Sequence, residues 1–222
     1  VENIGWPEQI KKIFELAETL KQQGRRPYVA RAANQADIGL DTAAYTNCAL
    51  ELHLQLAEQG LQPTHLYVAA ADTTQGGLIL GAKALGETYQ IVGLNPLGDV
   101  AFGGPPAREL IAHAANKAAS ELGLSLTVSP EEVISYSDYV GEGYATPTPA
   151  GLEAIRLVAS LEGILLDPVY SGKAMAALID HIKQGKLTAA DTVIFLHTGG
   201  YPALFAYHHY FDFKDQLIRG AL

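Results

Sequence analysis

THLYVAAADTTQGGLILGAKALGETYQIVGL, residues 64–94, is the stretch that decides the fold. Its first part, THLYVAAA (64–71), reads as a buried strand, TQGGLILGAKAL (74–85) as the helix after it, and YQIVGL (89–94) as a second strand. A strand, a helix and a strand at this spacing make a crossover unit, which joins parallel strands. The pattern continues outward. A long helix is expected over about 40–58, and GGPPARELIAHAANKAASELG (103–123) reads as a loop and then a helix. EEVISY (131–136) is a weaker strand, TPAGLEAIRLVASLEG (148–163) a helix with Thr148 as N-cap, and SGKAMAALIDHIKQG (171–185) another. TVIFLH (192–197) is a strand and YPALFAY (201–207) starts a final helix. Before the deciding stretch, Ile10, Ile13, Phe14, Ala17 and Leu20 form a helical stripe ended by Gly24, and RPYVAR (26–31) is a short strand candidate. The expected class is α/β: a parallel sheet between helices, a three-layer αβα domain. Ligands in such sheets sit beyond the carboxyl ends of the strands.

The bulk properties narrow the function. A chain of 222 residues with 48% hydrophobic content suits one large domain with a full core. The net charge is −9, and no basic cluster exceeds the Arg25–Arg26 pair. Nucleic acid and anionic membrane surfaces both need a basic footprint, so neither is an expected partner. Cys48 is the single cysteine, which excludes an internal disulfide and reads as a small core residue in a reducing cytoplasm. No apolar run is long enough to span a bilayer, and no signal-peptide pattern is present. The chain starts at Val1 and its single methionine is Met175, so an upstream segment is expected. The tail HHYFDFKDQLIRGAL reads as a helix or arm suited to an oligomer contact, and a homodimer is the expected assembly.

Four turns stand out: AADTTQGG (70–77), GEGYATP (141–147), DPVYSGK (167–173) and HTGGYP (197–202). Glycines let a backbone approach a ligand closely, and free N–H groups at a helix start attract anions. The hydroxyls of Thr74, Ser171 and Thr198 add directional hydrogen bonds. Helix capping explains any one of these turns equally well. Four at one sheet edge favour a pocket, with Tyr144 and Tyr170 pointing into it. Lys173, third in its helix, is expected in solvent. His197 is expected as a satisfied core histidine. No histidine pair has zinc-site spacing, so no metal is expected.

On these residues the chain resembles the D-cysteine desulfhydrase and 1-aminocyclopropane-1-carboxylate deaminase family, pyridoxal-phosphate enzymes of the tryptophan-synthase-β fold. The stretches that carry the likeness are GLEAIRLVASLEGILLDPVYSGKAMAALID, VIFLHTGGYPALFAY, QGRRPYV and GEGYATPTPAG. The likeness runs from about Gly24 to Tyr207 and covers the later part of a family member. It implies that residues 1–222 are one α/β domain like the large domain of these enzymes, without the N-terminal segment and most of the small domain. It implies pyridoxal phosphate as cofactor, Tyr144 and Tyr170 as the active-site tyrosines, Thr74 in the phosphate loop, and Ser171, Thr198 and Gly199 at the ring edge. A hydroxyl at Ser171 in place of a glutamate resembles the desulfhydrase branch. A hydroxyl gives a weaker electron sink and favours prompt β-elimination from a small amino acid, releasing sulfide, pyruvate and ammonia.

Two family features are missing from the sequence. The Schiff-base lysine lies in a GGNK-type motif that these residues do not contain. The phosphate loop is glycine- and serine-rich in the family, whereas here Ala70, Asp72 and Thr73 stand in it, and AANQADIG (32–39) replaces a Gly-Gly-Ser turn. A carboxylate at ~5 Å from a phosphate charge costs about 3 kcal/mol at an effective dielectric of ~20, roughly a hundredfold in affinity. The expectations are therefore a pyridoxal-phosphate lyase completed by an upstream segment, a non-catalytic relative binding a small anion or amino acid, or an assembly subunit.

Overall fold

The computed structural model describes residues 6–29, 38–100 and 104–211. The chain divides into two compact units, 1–38 and 39–222. In the first, helix α1 (Trp6–Gln22) carries the ion pairs Lys12–Glu8, Lys11–Glu15 and Lys21–Glu18, and closes on Gly24 at φ +75°. Residues 26–29 of the expected strand are irregular, Tyr28 is 90% exposed, and among the described residues no strand pairs with that segment. Residues 30 and 31 lie outside the described residues.

The second unit is built on a four-stranded sheet of β1 (His65–Ala69), β2 (Gln90–Leu94), β3 (Ile134–Tyr136) and β4 (Val193–Leu196). The strand order is β3-β2-β1-β4 and every pairing is parallel, with Leu66 opposite Ile91 and Ile194. β1 is apolar along its length because helices cover both its faces. Leu66 and Val68 join a core with Ala49, Leu56 and Leu78 on one face, from α2 (Ile38–Gln59) and α3 (Thr73–Leu85). Tyr67 and Ala69 meet Ala174, Ala177 and Leu178 of α6 (Ser171–Lys183) on the other. Helix α4 (Ala107–Glu121) packs on α3, and α5 (Pro149–Glu162) packs on α6. The final segment forms only 3-10 turns, Tyr201–Phe205 and His208–Tyr210, and residues 212–222 lie outside the described residues.

The glycines Gly76 and Gly77 of the 70–77 stretch let α3 pack closely on its neighbours. A Cβ on Gly76 would stand 2.9 Å from the Ile111 carbonyl of α4, and one on Gly77 2.2 Å from the Thr42 carbonyl of α2. Helix α3 is thus wedged between two neighbours at backbone distance, while Cys48 packs half-buried against the same core.

Behind the carboxyl edge, His181 is 1% exposed and ringed by Tyr67, Tyr136 and Tyr139. Burial, with Lys186 nearby, holds its pKa below the ordinary histidine value, and burial pushes the Tyr67 phenol up to about 12. The Tyr67 hydroxyl and His181 Nδ1 share a hydrogen bond of 2.8 Å. Tyr139 donates to Asp180 (2.6 Å). These bonds fix the ring wall on which the site rests. No helix among the described residues is long and apolar enough to cross a membrane.

Candidate active site

The turn before α6 is organised by one buried carboxylate. Asp167 is 0% exposed, and its Oδ2 accepts from the Val169 and Tyr170 N–H groups at 2.8 and 2.9 Å. Its Oδ1 accepts from the Ser171 N–H (2.8 Å) and the Ser171 hydroxyl (2.6 Å), and the Asp167 N–H donates back to Ser171 Oγ (2.8 Å). The first N–H groups of a helix lack internal partners, and here one side chain satisfies two of them, Tyr170 and Ser171, together with the Val169 N–H of the turn before. Ser171 is therefore 1% exposed with its proton engaged by Asp167. Gly172 cannot carry a side chain, because a Cβ would stand 2.6 Å from the Asp167 carbonyl.

That geometry sets Tyr170 at the rim, where its hydroxyl meets that of Tyr144. The two rings lie edge to face with centroids 6.0 Å apart. Tyr144 comes from the loop after β3 and is 49% exposed. The loop is held from both sides. Lys173 donates from Nζ to the Val140 (2.7 Å) and Gly143 (3.2 Å) carbonyls, and Tyr207 donates to the Ala145 carbonyl (2.7 Å). Ala145 adopts φ +62°, a left-handed conformation that costs an alanine about 1 kcal/mol. Lys173 is 3% exposed, against the expectation of solvent: its stem is enclosed as α6 packs on α5 and the loop. Burial lowers its pKa, and Asp167 opposes that shift. With Asn95, Tyr136, Tyr139 and Tyr170, Lys173 lines a cavity of about 10 Å³, room for about one water.

The 197–200 turn lies against the first. His197 Nδ1 accepts from the Gly199 N–H (3.0 Å), leaving Nε2–H to donate to the Leu165 carbonyl (2.8 Å). Gly200 sits so close to Asp167 that a Cβ would fall 2.7 Å from Oδ1. Thr198 is exposed beside the half-buried Gly199. The structure thus brings Tyr144 to Tyr170, and the Thr198–Gly200 turn to the Asp167–Ser171 turn.

Thr74 stands apart, half-buried in the first turn of α3 beyond the carboxyl end of β1. Asp72 is the N-cap of this helix, and its Oδ1 accepts from the Thr73 N–H at 2.6 Å. Gln75 is fully buried, donating to the Ile134 carbonyl (2.7 Å), and its Oε1 has no hydrogen-bond partner. Asp167, Lys173 and Gln75 were not singled out as site residues by sequence reasoning. Asp167 carried a legible signal, an acid four residues before a helix-opening serine. Lys173 and Gln75 carried none, because their burial comes from elements distant in sequence. Among the described residues no group of three or more His, Cys, Asp or Glu is placed to hold a metal ion.

The family described as pyridoxal-phosphate dependent enzyme matches residues 4–199. The D-cysteine desulfhydrase of Yersinia enterocolitica is 36% identical over 198 residues, covering 89% of this chain and 58% of the relative. That of Salmonella paratyphi C is 38% identical over 193 residues, covering 87% and 56%. The crystal structure of an ACC deaminase homologue superposes with a TM-score of 0.75 at 31% identity, covering 94% of this chain and 60% of the homologue. The chain thus spans somewhat more than half the length of these relatives.

The cofactor of such proteins is pyridoxal phosphate, a flat ring bearing an anionic arm. At the tyrosine end, two phenols and two glycine-bearing turns lie together at one sheet edge, residue types that suit the border of a ring. The α3 end fits a phosphate only with Asp72 turned away, because its carboxylate holds the first N–H of the helix.

Proposed function

The chain belongs to the pyridoxal-phosphate dependent enzyme family, and from that premise we propose that it supplies the tyrosine-bearing side of a lyase site. The reaction is β-elimination of sulfide from a small amino acid of the D-cysteine type, and water then hydrolyses the resulting enamine to pyruvate and ammonia. The hydroxyl contact between Tyr144 and Tyr170 carries this reading. When bound, the cofactor supplies the electron sink for the departing group. Tyr144, half-exposed, is placed to meet the substrate, and Tyr170 to hold or pass the shared proton. Thr198 and Gly199 border the ring, and Ser171 supports it through the Asp167 turn. The Schiff-base amine comes from outside these 222 residues, and the assembled enzyme is a homodimer in the cytoplasm.

A second reading, a non-catalytic relative that binds a small anion or amino acid, is favoured by one observation: the Asp72 carboxylate occupies the Thr73 N–H. The side chain is exposed, so solvent screens its repulsion, and the effect of removing it falls below the hundredfold expected from charge alone. Asp72→Asn keeps an N-cap and removes the charge. Calorimetric titration with pyridoxal phosphate should show affinity rising about tenfold in this variant. Unchanged affinity would show that the Asp72 charge does not oppose the phosphate and would remove the observation on which the second reading rests.

A further inference from the structure

Lys173 is the buried charged side chain that links the two segments carrying the paired phenols. It lies three residues after Tyr170, in the first turn of α6. Its ammonium donates to the carbonyl of Gly143, the residue before Tyr144, and to that of Val140. Its stem is enclosed, with 3% of the residue exposed. The same loop carries a left-handed alanine at Ala145, a conformation that persists only when neighbours hold it. Beside the phenol pair itself, the Tyr207 hydroxyl on Ala145 also ties down the 140–145 loop.

We propose that Lys173 is a positioning residue: its ammonium staples the 140–143 backbone to α6 and thereby sets the Tyr144–Tyr170 hydroxyl contact. An ammonium has three rotatable donors on a flexible stem, so it can bridge two carbonyls that face different directions. Without it, those carbonyls turn toward water, Ala145 relaxes, and Tyr144 swings away from Tyr170. The α5–α6 packing does not depend on the ammonium and stays.

The inference rests on the reading of Tyr144 and Tyr170 as the working phenols, but its test needs no cofactor. The chain is labelled with 13C at tyrosine Cζ, and Tyr144→Phe and Tyr170→Phe identify the two signals. In Lys173→Met, which keeps a stem of similar length, both signals should move while those of Tyr67 and Tyr89 stay. Lys173→Arg, which keeps donors and charge, should hold the pair near its original positions. Unmoved signals in a folded Lys173→Met would overturn the proposal. Should that variant not fold, Lys173→Gln, whose shorter stem cannot reach Val140, serves in its place: moved signals support the staple and unmoved ones refute it. A failed cofactor titration would strike the functional reading and leave this result untouched.

Discussion

Gly77→Ala should destabilise the protein by about 3–4 kcal/mol, because the clash is with backbone that cannot turn aside. The added carbon would stand 2.2 Å from the Thr42 carbonyl oxygen, 2.6 Å from Tyr45 Cβ and 2.9 Å from the Thr46 nitrogen. Two of those three atoms are backbone, so no rotamer change relieves the clash, and α2 must move away from α3. That movement opens the core shared by Ala49, Leu56, Leu66 and Leu78. Alanine is the better helix former by about 1 kcal/mol, which offsets only part of the loss. Gly86→Ala is the contrast. That residue, at φ +71°, has nothing within 4 Å of a built Cβ, so only its left-handed backbone resists, at about 1 kcal/mol. Urea unfolding of the two variants should show a small shift of midpoint for Gly86→Ala and a large one for Gly77→Ala. Equal shifts would mean that the helices are not packed at backbone distance.

Asp167→Ala should cost about 4 kcal/mol and disorganise the site as well. It leaves the N–H groups of Val169, Tyr170 and Ser171 and the Ser171 hydroxyl without their acceptor in a buried turn. A single buried unsatisfied group costs about 1–3 kcal/mol, and relaxation of the turn toward water recovers part of the sum. The variant also removes the anion that helps keep Lys173 charged. Asp167→Asn retains one acceptor oxygen but turns an amide toward a backbone N–H, and should lose about half as much. Thermal unfolding measures both, and a Tm for Asp167→Ala within 2 °C of the parent, about 0.5–1 kcal/mol for a chain of this length, would show the turn to be held by something else.

The architecture was legible because burial on both faces leaves apolar runs that stand out. β1, β2 and β4 are such runs, and each of the helices α3 to α6 lies within a residue or a few of where its apolar spacing puts it. β3 is short because Pro130 and the Ser129–Glu132 capping box turn the start of EEVISY into a 3-10 segment, leaving Ile134–Tyr136 to pair. The order β3-β2-β1-β4 is a tertiary choice among helix-covered strands that no local pattern encodes. The meeting of Tyr144 and Tyr170 at one sheet edge was readable from their glycine-bearing turns. The role of Ser171 as a partner of Asp167 was not, since a serine opening a helix looks the same whether its hydroxyl faces a ligand or an acid. Lys173 was misread for a related reason. Position three of a helix faces solvent unless another element covers it, and the covering loop arrives from 30 residues upstream.

The central claim is that the carboxyl edge carrying Tyr144 and Tyr170 receives the ring of pyridoxal phosphate. Titrating the cofactor into the tyrosine-labelled Asp72→Asn chain tests it most directly. The account predicts that the Tyr144 and Tyr170 signals shift in step with saturation, while those of Tyr67 and Tyr89, inside the sheet cores, remain in place. A saturating titration that leaves Tyr144 and Tyr170 unmoved would contradict it.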